Sequence, residues 1–371
     1  MVRMADRLGK VDLSDVRRMF EASSESDINL GLGEPDFEIP ENVKKAIVNG
    51  VENGFTHYTS NRGCIELREE ISKKLKKDNS VNVDSDSIMV TTGASEALYI
   101  ASQGLFNKDD EVLIPDPGFL SYRACVELAE ARSIPIKTSL DDDYKMRYEN
   151  VQDKISSKTK AIILNSPSNP TGAVMDKEDI KSICDLSVDH DFIMISDEIY
   201  EKIIYDGKHY SPARFGGNTL LINGFSKAYA MTGLRIGYIA GQSLMIDEIL
   251  KVHQYNTACV SSLSQLGAYE ALKSSDRYVE DLVKEFRRRR DLILGGLDDL
   301  GLECGEVQGA FYVFPKVKNA TFYVKKALEA GVVLVPGKGF GESCEDNVRI
   351  SYANSYENIE EAIDRLKTIN M

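Results

Sequence analysis

A lysine and an arginine stand eight residues apart in the stretch Asn223-Gly-Phe-Ser-Lys-Ala-Tyr-Ala-Met-Thr-Gly-Leu-Arg-Ile-Gly237. Ahead of them the apolar run Thr219-Leu-Leu-Ile222 reads as a buried strand, and a second run, Ile236 to Ala240, follows. Lys227 therefore sits in a loop of small residues between two strands. A lysine held there and partly dehydrated loses its proton readily and becomes a nucleophile. Arg235 is suited to holding a phosphate. Taken alone, Lys227 is better read as one solvated surface lysine among many. Four other short stretches change that reading.

Thr91-Thr-Gly-Ala-Ser-Glu-Ala-Leu98 leads small residues into a helix expected to start at about Ser95. Free N–H groups and a hydroxyl at a helix start make a phosphate cup, although a plain Ser N-cap has the same appearance. Pro115-Asp-Pro-Gly-Phe-Leu-Ser-Tyr122 presents Phe119 in a proline-bounded loop, where it either lies against a planar ligand or packs on the core. Asn165-Ser-Pro-Ser-Asn-Pro-Thr-Gly172 stiffens its backbone with two prolines and presents Asn169 rigidly, as donor and acceptor. Ser196-Asp-Glu-Ile-Tyr200 ends an apolar run on a carboxylate, Asp197, which is costly to bury without a positive partner. Tyr200 projects the same way if a helical turn begins there.

The elements that must position these groups alternate along the chain. Candidate strands are Ile88-Thr92, Glu111-Pro115, Ile134-Ser139, Ala161-Asn165, Phe192-Ser196, Thr219-Asn223 and Arg235-Ala240, most of them separated by helical stretches. This pattern predicts an α/β fold with a largely parallel sheet covered on both faces. Ligands of such sheets lie beyond the carboxyl ends of the strands, so the loops after residues 92, 115, 165, 196 and 223 carry the site. Earlier in the chain, Ser14 to Ala22 (with Ser14 as N-cap), Glu41 to Glu52 and Cys64 to Lys76 read as helices. Leu30-Gly-Leu-Gly-Glu-Pro-Asp-Phe37 and His57 to Gly63 read as loops. Later, Ser274 to Asp298 is a long charged helix, followed by strands at Ala310-Phe314, Val332-Val335 and Val348-Tyr352 and a final helix from Asn358 to Ile369. The expected division is a large domain of residues 40–270 and a smaller α+β domain of residues 1–39 and 271–371, with an N-terminal arm.

The chain of 371 residues carries 42% hydrophobic and 28% charged residues, with a formal net charge of -14. It is long enough for a sizeable core, and its acidity argues against nucleic acid or an anionic membrane as partner. The basic run Arg287 to Arg290 reads as a solvated helix face. The cysteines (Cys64, Cys125, Cys184, Cys259, Cys304, Cys344) show no CxxC spacing and read as reduced thiols. With four scattered histidines, no metal site is expected. The N-terminus has no apolar signal region and no run of about eighteen apolar residues occurs, so the expected location is the cytoplasm.

Together the strand-end groups match pyridoxal phosphate. Lys227 can form a Schiff base with its aldehyde, and Asp197 can keep its ring nitrogen protonated, making the ring an electron sink. Asn169 and Tyr200 can bind the phenolic oxygen, and Phe119 can stack on the ring. The N–H groups around Gly93, Ala94 and Ser95, with Arg235 and Ser226, can neutralise the phosphate. A dinucleotide site would need GxGxxG after the first strand, whereas Gly337, Gly339 and Gly341 open no βαβ unit.

The ordered set Gly33-Glu-Pro-Asp-Phe37, Tyr58, Thr92-Gly-Ala-Ser95, Pro115 to Tyr122, Asn169-Pro-Thr-Gly172, Asp197-Glu-Ile-Tyr200, Ser226-Lys227, Arg235 and Val348-Arg-Ile-Ser-Tyr352 resembles the class I aminotransferases of the fold-type I pyridoxal-phosphate superfamily, in the branch of aspartate and aromatic aminotransferases. The resemblance spans nearly the whole chain. It implies a mostly parallel seven-stranded sheet sandwiched by helices, plus the smaller α+β domain. It implies that Lys227 is the Schiff-base lysine and proton shuttle, and that Arg349 grips the substrate α-carboxylate, a role that suits a bidentate guanidinium. Asn169 and the Gly33 backbone would border that carboxylate. Tyr58 would reach across a two-fold interface to the neighbour's phosphate, so a homodimer with shared sites is implied. Gly224 is a departure: some relatives carry a phosphate-binding serine there, and here only a backbone N–H is offered.

The activity implied is ping-pong transfer of the amino group of an L-amino acid to a 2-oxo acid, with 2-oxoglutarate and glutamate as one pair. Two other readings are a carbon–sulfur lyase or amino-acid decarboxylase on the same fold, and a ligand-sensing module of a transcription regulator. The last would need a DNA-binding domain ahead of the fold, and only a short stretch precedes Gly33. The substrate side chain is not read; Arg62, Tyr58 and Gly309-Ala-Phe-Tyr312 are candidates for its pocket.

Overall fold

The computed structural model describes residues 4–11, 24 and 26–369. The helix expected over Ser14 to Ala22 lies outside the described residues. The strands are, in chain order, β1 (Ile28–Asn29), β2 (Ile88–Thr91), β3 (Glu111–Asp116), β4 (Arg132–Lys137), β5 (Thr159–Asn165), β6 (Ile193–Asp197), β7 (Thr219–Gly224), β8 (Gly237–Ala240), β9 (Tyr312–Val313), β10 (Val332–Val333), β11 (Val335–Pro336) and β12 (Val348–Ser351).

The near-continuous apolar character of the middle strands follows from burial on both faces. In β2, Met89 joins the core built on helices Gly93–Leu105 and Ser243–Asn256, while Ile88 and Val90 join the core built on helices Ile65–Lys74 and Ser262–Ser274. Ile222 and Leu221 of β7 divide in the same way. Successive side chains of a strand point to opposite faces, so both must be apolar when helices cover both. The result is a seven-stranded sheet of order β2-β8-β7-β6-β5-β3-β4. β4, β3, β5, β6 and β7 are mutually parallel, and β8 runs antiparallel to β7 and β2. This is the expected sheet.

A second core lies outside it. β11, β12 and β9 form a small antiparallel sheet, and β1 pairs in parallel with β10. Phe286, Ile293 and Leu297 of the long helix Asp276–Asp299 share this core with Phe311, Val332, Val348 and Ile363. The final helix runs over Tyr356–Lys367 and starts earlier than expected, because the Ser355 hydroxyl caps it by accepting the Asn358 N–H at 3.2 Å. The helix after β2 likewise starts at Gly93 rather than Ser95.

The run Arg287 to Arg290 is only in part a solvated face: Arg287 and Arg288 are exposed, whereas Arg289 and Arg290 turn inward. Arg289 is buried, pairs with Asp36 at 2.6 Å and Glu285 at 3.0 Å, and lies over the Phe37 ring. Arg290 pairs with Asp206, and Arg288 covers the Tyr356 ring at 3.8 Å. Long arginine stems cover apolar surface while their heads reach acids from other segments. Arg289 thereby pins residues 36–37, ahead of the helix Glu41–Glu52, to the long helix. Among the described residues no helix is long and apolar enough to cross a membrane.

Candidate active site

The carboxyl ends of β5, β6 and β7 open into a cavity of about 380 Å³. Of the residues singled out from the sequence, Ala94, Ser95, Phe119, Asn169, Asp197 and Tyr200 line it. Ser226, Lys227, Arg235, Gly33 and Arg349 line it as well. Gly93 lies just beneath, at φ +75°, where an added Cβ would stand 2.8 Å from Arg235 Nη2. A side chain there would push the guanidinium off the helix start, so a glycine is required.

Tyr58 is not brought to the cavity. It is 90% exposed and borders a separate surface hollow with His57, Cys259 and Leu263. Arg62 also points elsewhere, pairing with Asp247 and donating to the Asp86 carbonyl at 2.6 Å. The Gly224 N–H donates to the Asn223 side chain at 2.7 Å, and the residue borders a small cavity behind the loop.

Lys227 is placed by the β7–β8 register, in which Gly224 pairs with Gly237 and closes the loop between them. Two non-glycine residues of that loop, Ala230 and Arg235, sit at φ 52° and 49°. Such conformations cost on the order of 1 kcal/mol each, so neighbours must hold the loop; Ser264 does so by donating to the Leu234 carbonyl at 2.7 Å. Arg235 Nη1 donates to the Thr232 carbonyl at 2.8 Å. Lys227 Nζ donates to the Gly33 carbonyl at 2.6 Å. Burial, then the nearby Arg349 guanidinium, draws its pKa down from 10.5 to about 8.

Asp197 ends β6 beside Asn165, its register partner at the end of β5. It is buried, and burial pushes its pKa up from 3.8 to about 6. The Tyr122 hydroxyl donates to it at 2.8 Å and the Ile199 N–H at 3.2 Å, which limits that rise. A carboxyl moved this far has lost about 3 kcal/mol of ionisation free energy. Asn165 ties the two strand ends together: its Nδ2 donates to the Asp197 carbonyl at 3.0 Å, and its Oδ1 accepts the Asn169 N–H at 2.9 Å. Tyr200 follows β6 in a turn rather than a helix and still faces the cavity.

Arg349 comes from β12 on the opposite wall. Its Nη1 donates to Asn169 Oδ1 at 3.1 Å and its Nη2 to the Gly31 carbonyl at 2.6 Å. The guanidinium lies between the Tyr312 and Phe340 rings, 4.6 and 4.8 Å from their centroids. Its Nε is buried without a protein partner. A guanidinium is chemically suited to a carboxylate, with two parallel N–H groups to offer.

Three residues of the site went unassigned in the sequence. Tyr122 and Asn165 lie inside stretches already singled out, and Tyr122 follows Phe119 at helical spacing, which is a usable signal. Tyr312 carried no local signal beyond its place in a candidate pocket segment.

Glu198, Glu201 and His209 bring ligand atoms within 4.8 Å of one another, close enough to share a metal ion. Their acceptors are already engaged. Glu198 takes Ser196, Ser211, Asn79 and His209 at 2.6–3.0 Å, and Glu201 takes Lys74 and Asn79. The cluster is a hydrogen-bonded ion network.

Residues 25–366 match the family model described as aminotransferase class I and II. A probable aspartate aminotransferase of Methanocaldococcus jannaschii is 46% identical over 375 residues, covering 99% of both chains. An aromatic-amino-acid aminotransferase 2 of Thermococcus litoralis is 38% identical over 380 residues, covering 99% of this chain and 98% of that one. The solved structure of Thermus thermophilus aspartate aminotransferase with maleate superposes with a TM-score of 0.95 at 36% identity, covering 98% of this chain and 99% of that one. In sequence and in fold, the chain belongs to the class I and II aminotransferases.

Proposed function

We propose that this aminotransferase holds pyridoxal phosphate in the cavity of about 380 Å³ and there moves the amino group of an L-amino acid to a 2-oxo acid. The observation that carries the reading is that Lys227 and Asp197, which follow and end the adjacent strands β7 and β6, line one cavity with their pKa values drawn to about 8 and about 6. The donor set fits the cofactor. Arg235 and the N–H groups at Ala94 and Ser95 suit a phosphate, an acid suits a ring nitrogen, and the lysine suits an aldehyde. Bound there, pyridoxal phosphate supplies the carbon that receives the amino group and a ring that withdraws electrons.

The chain's own residues divide the remaining work. Lys227 Nζ, neutral in part near pH 8, would take the proton from the substrate α-carbon and deliver one to the cofactor carbon that carries the transferred nitrogen. Asp197 holds a proton at the cofactor ring nitrogen. Asn169 and Tyr200 orient the phenolic oxygen, Phe119 covers the ring face, and Ser226 adds a phosphate donor. Arg349 and Asn169 hold the α-carboxylate beside the Gly33 backbone. Tyr58, exposed in one chain, supports a homodimer in which a second copy covers it and borrows its hydroxyl for the phosphate. The division into residues 40–270 and the remainder is supported by the sheet of residues 88–240 and by the pairing of β1 with β10. We place the enzyme in the cytoplasm.

The relatives named as aspartate and aromatic aminotransferases favour an acidic or aromatic amino acid as donor, with 2-oxoglutarate and glutamate as the second pair. They also favour transfer over the lyase and decarboxylase readings. A half-reaction screen tests this: the purified holoenzyme is mixed with each amino acid in turn. The expected result is bleaching of the cofactor absorbance and a stoichiometric 2-oxo acid. Release of ammonia or carbon dioxide without amino transfer would overturn it.

A further inference from the structure

Tyr312 touches both halves of the site, and beyond its place in a candidate pocket segment it has no role so far. It stands on β9, in register with Ser351 of β12, and is 1% exposed. The face of its ring lies 4.6 Å from the Arg349 guanidinium carbon. Its hydroxyl lies 2.9 Å from the Tyr200 hydroxyl, with the two rings edge to face at 82°. A Cβ added to Gly33 would fall 2.1 Å from the Tyr312 hydroxyl, so the backbone whose carbonyl receives Lys227 closes around that oxygen.

We infer that Tyr312 is a positioning residue that sets the Tyr200 hydroxyl from its own hydroxyl and the Arg349 guanidinium from its ring. The inference rests on the proposed cofactor and substrate roles of Tyr200 and Arg349. Burial raises the pKa of both phenols, so both stay neutral hydroxyls. When Tyr200 donates to the cofactor's phenolic oxygen, its own oxygen is free to accept from Tyr312. A donor that accepts a second hydrogen bond is polarised and donates more strongly. The ring works independently of this, because an aromatic face fixes the plane of a guanidinium and with it the direction of the two N–H groups offered to a carboxylate.

The two arms separate by mutation. Tyr312→Phe keeps the ring and loses the hydroxyl; Tyr312→Leu loses both. The phenolic oxygen is best held as an anion by a strong donor. Tyr312→Phe should therefore raise the pH at which the bound cofactor's absorbance changes, by about half a pH unit. It should leave KM for the amino acid within about twofold. Tyr312→Leu should show the same spectral shift and raise KM roughly tenfold as well. A residue that merely fills space would lower the thermal midpoint and the yield of holoenzyme without moving the titration. Should Tyr312→Leu fail to fold, Tyr312→Met fills the space without an aromatic face. A Tyr312→Phe titration matching wild type overturns the hydroxyl arm. A leucine or methionine variant whose KM matches that of Tyr312→Phe overturns the ring arm. A wild-type protein that takes up no cofactor overturns the reading of the cavity and this inference together, whereas a wild type that binds it isolates the failure to Tyr312.

Discussion

Two lysine–carboxylate sites flank the end of β6, and they are built to opposite ends. On one side Lys74 contacts Glu201 directly, within a network that also satisfies Glu198 through Asn79, Ser196, Ser211 and His209. Burial opposes the Glu201 charge, yet the Lys74 ammonium and His209 hold its carboxyl well below the usual range. On the other side Asp197 is held by a phenol and an amide, and Lys227 by a carbonyl. With no opposite charge as hydrogen-bond partner, burial moves both toward neutrality, to about 6 and about 8. A buried charge that touches its counter-ion becomes a fixed structural charge. One held by neutral groups stays responsive to a ligand. Asp197 and Glu198 are consecutive at the end of β6, and the extended backbone sends one to the cavity and the other to the network.

The largest effect expected from this contrast is on turnover. Lys227→Ala should lose at least roughly 10²–10⁴-fold in kcat, because the residue moves the proton. A variant transaminating at the wild-type rate would erase the distinction between the two lysines. Asp197→Ala should lose roughly 10²–10³-fold while retaining some bound cofactor, as read from kcat and absorbance of the reconstituted protein. The structural pair should respond in stability instead. Lys74→Met leaves Glu201 buried without its cation and should destabilise the fold by about 3–5 kcal/mol in urea unfolding, with turnover per folded holoenzyme retained. Stability unchanged by that substitution would show that the network is not a fixed charge pair.

The smallest effect is a pH dependence of the cofactor-free protein. Unfolded Lys227 keeps its proton up to 10.5, whereas the folded residue loses it at about 8. Between those values the unfolded state binds more protons, so this lysine makes stability rise with pH across that window. The rise is at most about 3 kcal/mol, less in so far as water in the cavity screens a partly buried ammonium. Urea midpoints of the wild type and Lys227→Met should converge from pH 8 to 10.5, the variant being the more stable below. Parallel curves would contradict the depressed pKa.

How much of this was readable beforehand depends on where each partner lies in the chain. The strand ends were readable because each is a short apolar run closed by turn residues, and all end on the same edge of a parallel sheet. Asn169, Asp197, Tyr200 and Lys227 follow from that rule and from their chemistry. Arg349 became a candidate through the family resemblance, since an arginine starting a strand has no local signature. Tyr122 and Tyr312 show their roles through partners 75 and 112 residues away, which no spacing rule reaches. Arg289 was misread for the same reason: its acid, Asp36, lies 253 residues upstream.

The central claim is that Lys227, and not Lys74 or any other lysine, joins the cofactor covalently. Borohydride reduction of the protein incubated with pyridoxal phosphate, followed by peptide mass mapping, reads this directly. A single pyridoxyl adduct on Lys227 is the predicted result. An adduct confined to another lysine, or a protein that carries none after incubation, would contradict the account.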